Sequence, residues 1–142
     1  MKECRGITGL FFRVPVLALF LAMSSASFAA VTDISQDVLM QRIKSDHAQL
    51  ILDVRSPEEY KEGHIPGAIN IPHDQIIARL AEIRSHKNKE VVLYCRSGRR
   101  VVIAADILRS AGFNKLLHLD GDMGGWQSNR NLPVVKQPCT SC

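Results

Sequence analysis

Cys95-Arg96-Ser97-Gly98-Arg99-Arg100 is the stretch of this chain best equipped for chemistry. A thiol, a hydroxyl, a glycine and three guanidinium groups fall within six consecutive residues. Free cysteines most often act as small buried hydrophobes. The neighbours of Cys95 set it apart, because positive charge and a helix N-terminus favour the thiolate, the nucleophilic form of sulfur. In a short loop entering a helix, successive backbone N–H groups converge on one point, and the helix dipole adds positive potential there. The chemistry expected is an anionic sulfur at Cys95 acting on an anionic substrate. Arg96, Ser97, Gly98, Arg99 and Arg100 are the candidates for binding that substrate.

Two elements flank this loop and must position it. Val91-Val92-Leu93-Tyr94 reads as a buried strand. From Arg99 the apolar period changes, with Val101, Ala104, Ala105, Leu108 and Ala111 at helical spacing and Gly112 as the stop. A second mostly apolar run, Leu50 to Arg55, reads as an interior strand of a parallel sheet. Ligands in such sheets sit beyond the carboxyl ends of the strands. Asp53 and Arg55 therefore stand where they neighbour and support the cysteine loop. Arg100 either faces the substrate or closes the loop by pairing with Asp53 or another carboxylate.

Helices and turns fill the intervals. Ser35 is an N-cap for a helix over Gln36–Lys44, and Ile34 and Leu39 are spaced as a hydrophobic staple. Ser56-Pro57-Glu58-Glu59 is a capping box opening a short helix that Gly63 stops. His64 to Pro72 turns into a short strand. Asp74 is placed to cap a helix striped by Ile76, Ile77, Leu80 and Ile83, and Leu116–Leu119 is a further strand. Asp120 to Trp126 is a turn opening another short helix, and the chain becomes irregular after Asn129. Strands alternating with helices make this α/β, a parallel sheet with helices on both faces. His64 has a local structural task, His73 and His118 are satisfied rather than catalytic, and Trp126 and the methionines are core. No set of His, Cys and carboxylates has metal-ligand spacing, so no metal is expected.

Residues 1–29 read as a cleaved secretory signal peptide. Lys2, Arg5 and Arg13 form a basic start, Val14 to Met23 is apolar, and Ser27 and Ala29 suit the cleavage positions. The apolar run is about ten residues, short of the roughly 20 that span a bilayer. The expectation is export to the periplasm, a domain over residues 30–130, and an irregular tail over 131–142 carrying Cys139 and Cys142. Loss of Lys2, Glu3, Arg5 and Arg13 lowers the formal charge from +4 to +2. No basic run with interleaved aromatics remains, so neither nucleic acid nor stable membrane association is expected.

Five segments in order resemble the single-domain rhodaneses, and the small periplasmic ones in particular. They are Asp53-Val54-Arg55, Glu58-Glu59-Tyr60, Gly63 to Ala68, Cys95 to Arg100, and Leu119-Asp120-Gly121 with Gly124-Gly125-Trp126. The resemblance implies a five-stranded parallel sheet and a thiosulfate sulfurtransferase whose cysteine, Cys95 here, carries sulfane sulfur as a persulfide. It implies a small anionic donor such as thiosulfate, a thiophilic acceptor such as cyanide, a small thiol or a protein thiol, and no cofactor. Two other classes compete. Cysteine-dependent phosphatases resemble this loop but are one residue longer between cysteine and arginine, and usually carry histidine where this chain has Tyr94. A thiol–disulfide redox protein would use Cys139 and Cys142, yet such pairs normally open a helix in a packed domain.

Overall fold

The computed structural model describes residues 31–137 apart from Ala48; the expected signal peptide and the Cys139/Cys142 pair lie outside these residues. Five strands form one sheet in the order β1-β5-β4-β2-β3, every neighbouring pair parallel. They are β1 (Thr32–Ile34), β2 (Leu50–Asp53), β3 (Ala68–Asn70), β4 (Val91–Tyr94) and β5 (Leu116–Leu119). The helices are α1 (Gln36–Lys44), α2 (Pro57–Glu62), α3 (Ile76–Ile83), α4 (Arg99–Ser110) and α5 (Asp122–Ser128), with a 3-10 turn over Arg84–His86.

Both faces of the sheet are covered, as side-chain alternation in a strand requires. Leu50 and Leu52 of β2 and Val91 and Leu93 of β4 pack with Ile76 and Ile83 of α3 and Val101, Ala104 and Leu108 of α4. Ile51, Val92 and Tyr94 point the other way, to Leu39 of α1 and Met123 and Trp126 of α5. Leu52, Val92, Leu93, Leu108 and Trp126 are wholly buried. Each such side chain contributes about 1.5–3 kcal/mol of transfer free energy.

Local signals act as their chemistry dictates. The Ser56 hydroxyl accepts the Glu59 N–H, and the Glu59 carboxylate accepts the Ser56 N–H, a complete capping box with Pro57 in the first turn. Ser35 caps α1 through the Val38 N–H. Asp74 does not cap α3: it lies exposed in a turn, Gln75 takes the cap position, and no side chain bonds there. β1 is an element the hydrophobic pattern did not announce, since only Ile34 of its three residues is buried. Residues 131–137 lack regular structure yet are fastened to the domain. His64 and Val135 exchange backbone hydrogen bonds, the Trp126 indole N–H donates to the Pro133 carbonyl, and the Gln137 N–H donates to the Lys61 carbonyl. His64 also stacks on Tyr60 with ring centroids 3.8 Å apart.

Register brings the carboxyl ends of β2 and β4 together, with Asp53 opposite both Tyr94 and Asn70. Asp53 is wholly buried and Arg55 nearly so. Arg55 Nη2 lies 2.6 Å from Asp53 Oδ2 and donates to the Gly63 carbonyl at 2.7 Å, while its backbone N–H and Nε reach Asp53 Oδ1. This buried pair bolts the end of β2 to the end of α2. Asp53→Ala should therefore cost about 3–5 kcal/mol, the penalty of a buried guanidinium stripped of its partner, read as a lowered urea midpoint. Replacing both members, Asp53→Val with Arg55→Met, should cost less than the single change. A double variant as damaged as the single would place the stabilisation elsewhere.

Candidate active site

Cys95 is the first residue after β4, and its parity in the strand turns it toward the α3 and α4 side of the sheet. Its side chain is buried, and its Sγ accepts the Gly98 N–H at 3.1 Å. The loop thus folds inward on its own first sulfur. Gly98 makes that turn with φ of 88°, a conformation side chains disfavour, and stands at the N-cap of α4. Space is tight there too: a Cβ would lie 3.3 Å from Asp122 Oδ2 and 3.4 Å from His118 Cε1, so Asp122 would have to give by a few tenths of an ångström. The next N–H groups belong to the first turn of α4, where a helix has no internal partners for them.

The N-terminal turn of α5 supports the loop from behind. The Met123 N–H donates to the Cys95 carbonyl at 3.0 Å, and the Gly124 N–H to the Arg96 carbonyl at 3.3 Å. The Cys95 N–H donates to Asp122 Oδ1 at 2.7 Å, and Asp122 Oδ2 lies 3.1 Å from His118 Nε2. Neither Asp122 nor His118 stood out in the sequence as part of a site. Asp122 looks like an ordinary first-turn acid, and nothing local shows that its carboxylate meets an amide 27 residues away.

The three arginines divide. Arg96 and Arg99 are exposed and, among the described residues, have no acid within ion-pair reach, and Ser97 beside them is exposed as well. Arg100 is forked onto Glu59, Nη1 to Oε2 at 2.6 Å and Nη2 to Oε1 at 3.0 Å. The carboxylate that closes the loop is thus Glu59, not Asp53. Because Glu59 also completes the capping box of α2, it joins the starts of α2 and α4. The Arg100 hydrogen bond holds the Glu59 carboxyl down at about 2, against the opposing effect of burial and helped by the Ser56 N–H. Glu59 in turn raises Arg100 above its ordinary value, and Cys95 adds to that effect.

Asp53 is spent on Arg55 rather than on the loop, so the pair supports the site at one remove. Arg55 lines a hollow of about 300 Å³ beside the loop, together with Glu59, Glu62, Arg96, Met123, Gly124 and Gln127. The assembly offers a sulfur held by the Gly98 N–H, two exposed guanidinium groups on the same loop and helix start, and an adjoining polar hollow.

Comparison with known proteins places this geometry. Residues 35–129 match the rhodanese-like domain profile. The putative sulfur carrier protein YrkF of Bacillus subtilis is 36% identical over 103 residues, covering 72% of this chain and 55% of that protein. The chain thus spans about half the length of that relative. A sulfurtransferase of Allochromatium vinosum is 36% identical over 105 residues, covering 74% of this chain and 95% of its own length. The solution structure of the rhodanese-like domain from the Alr3790 protein of Anabaena sp. superposes with a TM-score of 0.66 at 26% identity, covering 80% of this chain and 89% of that one.

The Glu59–Arg100 fork carries a pH signature. A carboxyl depressed from 4.5 to about 2 on folding stabilises the fold above the unfolded value, and that contribution is lost as pH falls through the folded one. Wild type should therefore be more stable than Glu59→Gln by a constant margin above pH 4.5, and the margin should close toward pH 2. Urea midpoints for both proteins across this range check it. A margin that does not change with pH would mean that the charge of Glu59 is not what holds Arg100.

Proposed function

The chain belongs to the rhodanese-like domain family, and from that premise we propose that it is a sulfurtransferase with Cys95 as the sulfur carrier and thiosulfate, or a similar small anion, as donor. The observation that carries this reading is the Cys95 sulfur, held by the Gly98 N–H at the start of α4 with Arg96 and Arg99 free at the rim. The relatives named for sulfur transfer and sulfur carriage support it.

The reaction follows from the loop. The Cys95 thiolate attacks the outer sulfur of thiosulfate, the sulfur–sulfur bond of the donor breaks, and sulfite departs with the electron pair of that bond. The enzyme is left as a persulfide anion on Cys95. Preorganised N–H groups of the loop and of the α4 N-terminus hold the terminal sulfur much as an oxyanion is held. A thiophile such as cyanide, or a small or protein thiol, then takes the terminal sulfur and returns the thiolate. Arg96 and Arg99 bind the donor's sulfonate oxygens, a task that suits guanidinium forks. The phosphatase alternative is disfavoured, because only four residues separate Cys95 from Arg100, one fewer than such a loop carries. Residues 1–29 support export to the periplasm as part of the same proposal. A shortened chain beginning at Ala30 or Val31 in the periplasmic fraction tests it.

Thiosulfate added to the mature protein should add the mass of one sulfur atom to the Cys95 peptide. Cys95→Ser should lose both that adduct and thiocyanate formation while keeping its fold. No adduct on a Cys95 shown to be free would overturn the assignment. Arg96→Ala or Arg99→Ala should raise KM for thiosulfate, each lost charged hydrogen bond being worth about 1.5–3 kcal/mol. A less anionic donor should suffer less, and equal losses with both donors would make these arginines loop-shaping residues instead.

A further inference from the structure

Asp122 takes no part in the steps above, yet its carboxylate touches the backbone of the nucleophile. It is buried, and its φ of 50° is a left-handed conformation that a residue with a side chain rarely adopts. Such a conformation persists when the surroundings determine it, and here both carboxylate oxygens are engaged. One accepts the Cys95 N–H at 2.7 Å and the other faces His118 Nε2 at 3.1 Å. The Cys95 amide is consequently unavailable to a bound anion, which must use the later N–H groups of the loop. The same carboxylate approaches within 3.3 Å of where a Gly98 Cβ would stand, and the Gly98 N–H is the group that meets the Cys95 sulfur. From α4, Arg100 acts on the Cys95 sulfur as a positive charge, whereas a buried negative charge nearby opposes an anionic sulfur unless something cancels it.

His118 is placed to cancel it. Its imidazole bridges two acids, with Nε2 on Asp122 and Nδ1 3.5 Å from Asp33 Oδ1 of β1. We propose that Asp122 and His118 are a positioning pair: Asp122 fixes the Cys95 amide, and the His118 imidazolium cancels the carboxylate so that the loop tolerates an anionic sulfur. This rests on the sulfur-transfer reading for its purpose but not for its geometry. The hydrogen bond to Asp122 raises His118 above its ordinary value against the effect of burial, and the charges of Asp122, Asp33 and Asp120 add to it. From α4, Asp106 and Arg109 line the same hollow as His118 and pair with each other at 3.0 Å. Protonated His118 holds the pair neutral below its raised value. As pH climbs through that value the proton leaves, and an uncompensated carboxylate remains beneath the loop.

The test uses two readouts. Alkylation of Cys95 by iodoacetamide, followed on the Cys95 peptide by mass spectrometry across pH, reports the thiolate and needs no sulfur donor. Thiosulfate loading reports the anionic product. His118→Gln keeps a donor toward Asp122 without the charge; it should shift the alkylation midpoint to higher pH and slow loading about tenfold, the difference between a charged and a neutral hydrogen bond. Asp122→Asn added to that variant should bring the midpoint back, because no buried charge is left to cancel. Wild type should lose loading rate on its alkaline side, and Asp122→Asn alone should lack that limb. Asp122→Gly suits the left-handed backbone and removes the charge as Asp122→Asn does, but it also releases the Cys95 amide, so it should fold and yet load about tenfold more slowly than Asp122→Asn. A His118→Gln alkylation profile superimposable on wild type, or Asp122→Gly loading as fast as Asp122→Asn, would overturn the proposal. If thiosulfate loads no protein, including wild type, the sulfur-transfer reading fails and the alkylation midpoints still decide the pair.

Discussion

A sulfur has to be held at the buried end of a strand, and the turn from β4 into α4 meets that constraint with backbone. Gly98 reverses the chain so that its N–H faces the sulfur of Cys95, and the open end of α4 follows at once. Such a turn has little stability of its own, because the Gly98 N–H on the Cys95 sulfur is the one hydrogen bond between its members among the described residues. The rest of the fold supplies what it lacks. The start of α5 holds it from behind through Asp122, Met123 and Gly124. Glu59 holds Arg100 from the side. The Asp53–Arg55 pair sets the neighbouring strand end on which that side depends.

Charge in this region is divided by function. Arg55 and Arg100 are committed to Asp53 and Glu59, so their positive charge fixes structure. Arg96 and Arg99 remain at the surface with no acid in ion-pair reach among the described residues. The division follows burial: a guanidinium taken from water requires a partner, whereas an exposed one is already solvated. The residue types alone do not show which arginines fall on which side.

The legible parts of the sequence were those encoded locally. The apolar run of β4, the glycine after Cys95 and the helical stripe of α4 lie within about twenty consecutive residues, and a physical period marks each. The Ser56–Glu59 capping box is likewise a pattern within one turn of helix. What escaped was set by distance along the chain. Glu59 meets Arg100 across 41 residues, and Asp122 meets Cys95 across 27. No periodicity records such meetings, because they arise from the strand order of the sheet. β1 was missed because three residues with one buried face carry too little pattern, and the fastening of residues 131–137 because backbone pairing leaves no trace in side-chain type.

Because all five strands run the same way, the sheet has one reactive end and one inert end, and the two ways into the chain open at different places. Val31 precedes the amino end of β1, an edge strand, so whatever is joined before it attaches at the end of the sheet opposite Cys95. Gln137, by contrast, is tied to Lys61 on α2, the helix whose Glu59 and Glu62 wall the hollow beside the loop. A tether joined before Val31 therefore leaves the Cys95 end of the sheet unobstructed. A label placed at Gln137 starts beside α2, the helix whose Glu59 and Glu62 line that hollow.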